Sequence, residues 1–228
     1  MKITEIWRYP VKTMAGEKLQ RIGMGPLGIE GDRLVHVEDA GGRVITSRTH
    51  PRFLGHQGSV SAQGVIMVDR RPWNSPEVAS EVESIAGPGA KLVRYDGAER
   101  FDVLPLLVAT DGAIKAFGHD LRRLRPNIVI GGVEGLAERD WPGACLRVGK
   151  GLIGIQDLRA RCIMTSYDPD TLVQDKEITR DIYSRFDGKL ALNCFVIEGG
   201  EIAVGDDVQL VRGRACAESA ARVESGWS

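Results

Sequence analysis

The residues best suited to chemistry in this sequence lie around Cys162. The segment from Arg159 to Thr171 places this thiol beside two arginines upstream and a pair of hydroxyl side chains downstream. On an extended strand Arg159 and Arg161 share one face, and a nearby positive charge stabilises the thiolate, the form that attacks electrophiles and binds metals. The same residues also fit a structural cysteine at the end of a strand, because free cysteine is among the most buried residue types. The local residues leave both interpretations open.

Three further places along the chain offer positive charge to an anionic ligand. Lys12 lies beside Thr13 where the first predicted strand ends, and Arg33 lies where the strand of residues 34–37 begins. Arg125 precedes Pro126, which we expect to hold Arg125 in extended geometry and so aim its guanidinium in a fixed direction. Lysine or arginine at such positions is also common on an ordinary solvated surface.

Composition excludes some classes of partner. The chain has 228 residues, enough for one large domain or two small ones, and its 30 basic residues nearly balance 31 acidic ones. This balance leaves no global field that favours nucleic acid or an anionic membrane, so we expect neither as a partner. We find no apolar run long enough to span a bilayer and no signal-peptide pattern at the N-terminus. We therefore expect a soluble, cytoplasmic protein.

The four cysteines are widely spaced, at Cys145, Cys162, Cys194 and Cys216, without a CxxC pair. This spacing argues against a zinc site or an iron–sulfur cluster formed by this chain alone. Because no secretory signal is evident, we also expect no disulfide framework, and a reduced thiol at Cys162.

Many short strands with glycine turns and few helices predict an α+β fold, predominantly antiparallel β. Ser75 is expected to cap one helix, Thr110 a second, and a third is expected from about Lys176 to Phe186. The sequence Gly87-Pro88-Gly89 predicts a boundary between a first module at residues 1–89 and a second at 90–213. Residues 214–228 lack an apolar period and predict a flexible tail.

Several motifs occur along the chain in a recognisable order. They are Tyr9-Pro10-Val11-Lys12-Thr13, Gly31-Asp32-Arg33, Thr46-Ser47-Arg48, Arg125-Pro126-Asn127-Ile128-Val129, Trp141, Arg161-Cys162 and Asp168-Pro169-Asp170-Thr171. Together they resemble the MOSC family, named for the C-terminal domain of molybdenum cofactor sulfurase, over nearly everything from Lys2 to about Val211. The resemblance is closest to the amidoxime-reducing component type, and it implies a MOSC-type β-barrel preceded by a smaller β-rich N-terminal module.

The resemblance also implies the residues of a site for the molybdenum cofactor, a molybdenum-bearing molybdopterin. The family's molybdenum ligand falls on Cys162, and a carboxylate near the metal falls on Asp102; these are the two expected catalytic positions. The expected cofactor-binding residues are Lys12, Thr13, Arg33, Arg125, Asn127 and Cys162. This assignment agrees with the chemistry, because a pterin dithiolene carries a phosphate and anionic sulfurs that need fixed cations, and molybdenum favours sulfur ligands.

The chain departs from the family at two places. Relatives often have a second cysteine where this chain has Arg159, and they commonly have glycine where it has Leu172. These departures leave cofactor binding better supported than any particular substrate.

Three functions follow from the resemblance. The first is a molybdenum-dependent reductase of N-hydroxylated or N-oxygenated compounds. Its electrons would come from an external ferredoxin-, flavin- or cytochrome-type protein, because this chain has no cysteine set for an iron–sulfur cluster and no flavin-binding glycine fingerprint. The alternatives are sulfur transfer through a persulfide on Cys162 and non-enzymatic carriage of the cofactor. Pyridoxal phosphate is associated with the wider family, but no lysine here has a convincing Schiff-base setting.

Overall fold

The computed structural model describes residues 1–213 and Cys216. In this part of the chain there are seventeen strands and three α-helices. The strands are β1 (Lys2–Arg8), β2 (Glu17–Leu19), β3 (Arg21–Gly25), β4 (Gly28–Ile29), β5 (Val35–Glu38), β6 (Val44–Ile45), β7 (Gly58–Val60), β8 (Ile66–Val68), β9 (Arg71–Pro72), β10 (Lys91–Arg94), β11 (Leu106–Thr110), β12 (Ile128–Gly131), β13 (Cys145–Val148), β14 (Gly151–Ala160), β15 (Lys189–Glu198), β16 (Gly200–Ala203) and β17 (Val208–Val211). The helices are α1 (Pro76–Ala86), α2 (Asp111–Phe117) and α3 (Lys176–Phe186).

Eight strands form the largest sheet, in the order β17-β13-β14-β15-β11-β12-β1-β2. All neighbours in it are antiparallel except β11 and β12, which are parallel. Three smaller antiparallel sheets have the orders β10-β5-β6, β16-β3-β4 and β7-β8-β9. Across the described residues the sheets are not closed into a barrel, and the predicted α+β, mainly antiparallel fold is confirmed.

Two large apolar cores lie within the described part of the chain. One belongs to the eight-stranded sheet and includes Ile6, Ile128 and Leu192. The other lies within residues 11–90 and includes Phe53 and Val78. Because β1 pairs with β12 although it opens the chain, the first strand contributes to the core of the later residues. The division of the chain at residue 89 stays a prediction.

Local signals place the helices as expected. The Ser75 side chain accepts a hydrogen bond from a backbone N–H in the first turn of α1, and Thr110 does the same for α2. In α3 the stripe of Ile178, Ile182 and Phe186 is buried. No helix in the described part of the chain combines the length and apolar character needed to cross a membrane.

The expectation that no cysteines are paired is wrong for two of them. Cys145 on β13 and Cys216 form a disulfide, with their Cα atoms 6.0 Å apart, and both are buried. Cys216 therefore does not belong to a flexible tail, whereas the other residues from 214 onward lie outside the described part of the chain. The partners have a sequence separation of 71, and the pairing of β13 with β17, in which Cys145 faces Val211, brings the chain close to Cys145 just before Cys216. Cys162 and Cys194 are free.

The expected extended backbone at Arg125 is also wrong. Its φ is +55°, in the left-handed region. A short 3-10 helix at Leu121–Arg123 precedes it, and the Arg125 N–H donates to the Arg122 carbonyl at 3.2 Å. This turn overrides the bias that the following proline imposes.

We expect Cys216→Ser to lower the free energy of unfolding. The disulfide closes a loop with a sequence separation of 71, and loop-entropy estimates put its contribution at up to about 4 kcal/mol. The urea midpoint of the variant should fall, and wild-type protein with a reductant should shift to a similar value. Detection of free thiols at both Cys145 and Cys216 in native protein, by alkylation and mass spectrometry without reductant, would contradict the crosslink.

Candidate functional site

A cavity, here called the basic cavity, lies where the segment after β1, the turn before β12 and the end of β14 meet. Among the lining residues that the structure describes, seven are cationic: Lys12, Arg33, Arg48, Arg123, Arg125, Arg159 and Arg161. Asp102 is the one acidic residue in the same described lining. The chain as a whole has a formal net charge of −1. The positive field is therefore local, and it favours an anionic ligand.

All seven positions predicted from sequence come together in this cavity. The predicted residues that line it are Lys12, Thr13, Arg33, Asp102, Arg125, Asn127 and Cys162. Arg159 and Arg161 line it as well, as their alternate spacing predicts. The structure thus places these side chains around one space, and their binding and catalytic roles stay predictions.

Backbone pairing with β5 positions the Lys12-Thr13 segment. The Lys12 N–H donates to the Val35 carbonyl at 2.7 Å. Thr13 has a φ of +82°, and its hydroxyl bonds that of Ser47, while Ser47 Oγ donates to the Thr13 carbonyl at 2.9 Å. This contact joins the Lys12-Thr13 segment to the loop that carries Arg48.

Asp102 connects three of the cations. Its carboxylate lies 2.8 Å from Lys12 Nζ, 2.9 Å from an Arg48 nitrogen and 3.9 Å from an Arg159 nitrogen. Burial acts to raise the pKa of Asp102, but the Lys12 hydrogen bond and the surrounding positive charges outweigh it and lower that pKa. Asp102 is therefore ionised at neutral pH and orients these cations. The ion pairs contribute stability above the carboxyl's usual pKa and lose it as the pH falls through the lowered one.

The ring of Tyr9 packs against the guanidinium groups of two other cations. The guanidinium of Arg125 lies 4.3 Å from the centre of the Tyr9 ring, and that of Arg33 lies 5.2 Å away. Buried Asp32 pairs with Arg33 and accepts the Tyr9 backbone N–H at 2.7 Å. Burial lowers the pKa of Arg125 to about 10, so the side chain stays charged at neutral pH. Within the described residues the Arg125 guanidinium donates no hydrogen bond, which leaves its donors available to a ligand.

Cys162 lies just after β14, at the start of a short 3-10 helix, Ile163–Ser166. Its carbonyl accepts hydrogen bonds from Thr165 N at 3.1 Å and Thr165 Oγ1 at 2.9 Å, which fix the turn. The thiol is free and its residue is partly exposed. Cys162 is thus held at the cavity wall where a ligand can reach it.

Arg161 carries an unsatisfied donor. Only 9% of the residue is exposed, and one terminal nitrogen donates to the Leu124 carbonyl at 2.8 Å. Its Nε is buried and has no hydrogen-bond partner in the described part of the chain. Burial, and then the like charge of Arg159, lower the pKa of Arg161 to about 10. A buried donor without a partner is costly, so an acceptor supplied by a ligand would stabilise this arrangement.

Hydrogen bonds and an ion pair hold two more of the cavity's arginines in place. Arg159 donates to Asn193 Oδ1 at 3.3 Å, and Asn193 Nδ2 in turn donates to Asp157 at 2.6 Å. Arg123 pairs with Asp168 at 2.8 Å. Asp168 lies in the Asp-Pro-Asp-Thr motif, but nothing in the sequence identified Arg123 as its partner, and no local pattern pointed to Asn193 on β15.

Asn127 and Leu172, both singled out in the sequence, have backbone or side-chain geometry that indicates a structural role. The Asn127 amide accepts from Leu107 N at 3.1 Å and donates to the Trp7 carbonyl at 3.3 Å, so it holds β11 and β1 around β12. Leu172, where relatives commonly have glycine, adopts a φ of +60°, a conformation that favours glycine. Cofactor contact by Asn127 stays a prediction.

A second group of side chains of the types that bind metal ions lies outside the basic cavity. His56, Asp69 and Glu81 bring ligand atoms within 4.8 Å of one another. An Arg71 nitrogen lies 2.6 Å from Glu81, and His56 Nδ1 lies 2.7 Å from Asp69. These side chains therefore satisfy one another as an ion-pair network.

Two segments of the chain match known domain families. Residues 1–96 match the family described as the MOSC N-terminal beta barrel domain, and residues 110–209 match the MOSC domain. None of the curated proteins is significantly similar in sequence. The solved structure of YuaD from Bacillus subtilis aligns with 93% of this chain and 96% of its own, at 11% identity and a TM-score of 0.48. That of YiiM from Escherichia coli aligns with 98% of this chain and 78% of its own, at 13% identity and a TM-score of 0.46.

We expect Asp102→Asn to tighten sulfate binding to the basic cavity by about threefold, because a neutral amide no longer competes for Lys12 and Arg48. Wild-type affinity should also rise as the pH falls through the lowered pKa of Asp102, and the variant should lack this rise. Calorimetric titration measures both effects. Asp181→Asn, which breaks a surface pair with Arg185, is the matched control. Unchanged sulfate affinity in Asp102→Asn would contradict the competition.

Proposed function

This chain belongs to the MOSC family, with its N-terminal domain and its MOSC domain both present, and on that premise we propose that it binds the molybdenum cofactor in the basic cavity and reduces N-hydroxylated or N-oxygenated compounds. The observation that carries the proposal is the coincidence, in one cation-rich cavity, of a free thiol and an unpartnered buried guanidinium N–H. A ligand that has both anionic oxygens and a metal with affinity for sulfur satisfies each of these features.

The residues present fit such a cofactor. Lys12, Arg33 and Arg125 would hold its phosphate, because each presents a cationic group to the cavity. Cys162 would supply the protein's sulfur ligand to the metal. When bound, the cofactor would supply two-electron transfer coupled to oxygen exchange with the substrate. The Nε of Arg161 would donate to an anionic atom of the cofactor or the substrate.

Asp102 would act by orientation. The sequence resemblance predicts a carboxylate near the metal, and in the structure this carboxylate is held between Lys12 and Arg48 with a lowered pKa. Such a group is ionised at neutral pH, so it is poorly suited to donate a proton. We assign it to positioning Lys12 and Arg48 and to limiting the repulsion between them.

Electrons would come from another protein. The sequence has neither the cysteine spacing of an iron–sulfur cluster nor a flavin-binding glycine fingerprint. We therefore propose a ferredoxin-, flavin- or cytochrome-type electron donor. When a nicotinamide nucleotide is the only source of electrons, we expect no reduction of the substrate.

Sulfur transfer is the second candidate. The observation that favours it is the partly exposed Cys162 thiol, with Arg161 directly before it and Arg159 three positions before it, because positive charge stabilises a thiolate and a persulfide alike. A third candidate is that the protein carries the cofactor without catalysis. This function would use the same cavity, and it differs from the reductase only in that no substrate is turned over.

Protein purified from a host that makes the cofactor should contain near-stoichiometric molybdenum by elemental analysis. Turnover of an N-hydroxylated base should proceed with an artificial reductant. Cys162→Ser should keep the wild-type melting temperature, change the metal's absorption spectrum and reduce turnover to background, because oxygen is a harder ligand than sulfur.

Cys194→Ser is the matched control, since Cys194 is free but buried in the core of the eight-stranded sheet. It should leave the spectrum and the turnover unchanged. Protein without molybdenum but with a persulfide on Cys162 would favour sulfur transfer, and full activity of Cys162→Ser would show that Cys162 is structural.

A further inference from the structure

A second cavity, here called the aromatic cavity, adjoins the basic one. Its volume is about 310 Å³, and Arg123, Arg125 and Met164 line both cavities, so these three side chains form the wall between them. The remaining lining includes Trp7, Tyr9, Leu54 and Tyr167. Cavities of this size with mainly apolar linings and a few polar groups are typical sites for small molecules.

Trp7 and Tyr167 are partly exposed in the lining of this cavity, whereas Tyr9 is buried beneath the Arg125 guanidinium, and the polar ends of Trp7 and Tyr9 are engaged elsewhere. Tyr9 Oη donates to the Pro126 carbonyl at 3.2 Å. Trp7 Nε1 donates to Glu5 at 2.7 Å. A flat ring that enters the cavity therefore meets apolar and π surfaces and does not displace a hydrogen bond of these two residues.

The cations of the aromatic cavity differ in availability. Arg122 is held by two carboxylates, with Asp170 at 2.7 Å, and Arg123 is held by Asp168 at 2.8 Å. The Arg125 guanidinium contacts the Tyr9 ring and donates no hydrogen bond to any described residue. Arg125 is therefore the cation available to pair with an anion in this cavity.

We propose that the aromatic cavity is a second binding site, for a small planar aromatic carboxylate. The ring would lie against Trp7 and Tyr167, and the carboxylate would pair with the Arg125 guanidinium, whose planar fork matches a carboxylate in two parallel hydrogen bonds. This proposal rests on the lining of the aromatic cavity and not on the identity of the ligand in the basic cavity, although an anion bound there would compete for Arg125.

The shared wall couples the two cavities. Because Arg125 lines both, an anion paired with it on one side lowers the attraction for an anion on the other. Thermodynamic linkage makes this effect reciprocal, so sulfate should weaken the binding of an aromatic carboxylate by the same factor as the carboxylate weakens that of sulfate.

The test uses the full chain and three small probes of similar size. Benzoate has a flat ring and a charge, benzamide has the ring without the charge, and cyclohexanecarboxylate has the charge with a puckered ring. Calorimetric titration should show benzoate binding more tightly than either of the other two. Arg125→Lys should weaken benzoate, because an ammonium keeps the charge but lacks the planar fork.

A variant of the aromatic lining separates this site from the basic cavity. Tyr167→Leu should weaken benzoate by roughly threefold to tenfold through the loss of a ring contact, while sulfate binding without benzoate stays unchanged. Tyr95→Leu, a matched change at an exposed tyrosine that lines neither cavity, should leave benzoate affinity unaltered.

Leu54→Trp provides a second route if Tyr167→Leu fails to fold, because the larger side chain should fill the cavity and abolish benzoate binding. Equal affinity for all three probes would overturn the proposal. So would the absence of benzoate binding at millimolar concentration, or benzoate affinity that neither folded variant of the aromatic lining changes.

Discussion

The pairing of β1 with β12 is the constraint on which the rest of the site depends. Trp7 N donates to the Asn127 carbonyl at 2.8 Å, and the Asn127 amide donates back to the Trp7 carbonyl. These bonds bring the end of the first strand beside the Arg125 turn, so that Tyr9 lies under the Arg125 guanidinium. The pairing thus brings the segment after β1, which carries Lys12, to the same cavity as Cys162, which lies just after β14.

The same arrangement concentrates like charges, and the fold manages their repulsion with few carboxylates. Asp32 is fully buried against Arg33, and Asp102 is shared by Lys12 and Arg48. Arg123 pairs with Asp168, whereas Arg125 and Arg161 form no salt bridge with a carboxylate in the described part of the chain, and burial lowers the pKa of each to about 10. Holding such groups in place costs stability in the free protein. It also leaves their donors preorganised for an anionic ligand, which gains by replacing the missing partners.

The four cysteines show how burial decides the chemistry of one residue type. The disulfide between Cys145 and Cys216 links strand β13 to a residue that follows strand β17. Burial raises the pKa of Cys194, which keeps that thiol protonated in the core. Cys162 is the free thiol that lines the basic cavity. Only this last position combines access with nearby positive charge, so it alone is placed for metal binding or group transfer.

The amino-acid sequence by itself determined the features that depend on neighbours within a few residues. Ser75 and Thr110 cap their helices, and the stripe of α3 is buried, because caps and helical periods act over one or two turns. The family motifs also marked side chains that the structure places around the basic cavity. The tertiary structure decided how these side chains are used. Asp102 meets Arg48 across 54 residues, and Cys145 meets Cys216 across 71. Such contacts follow from strand order and loop closure, which no local pattern encodes.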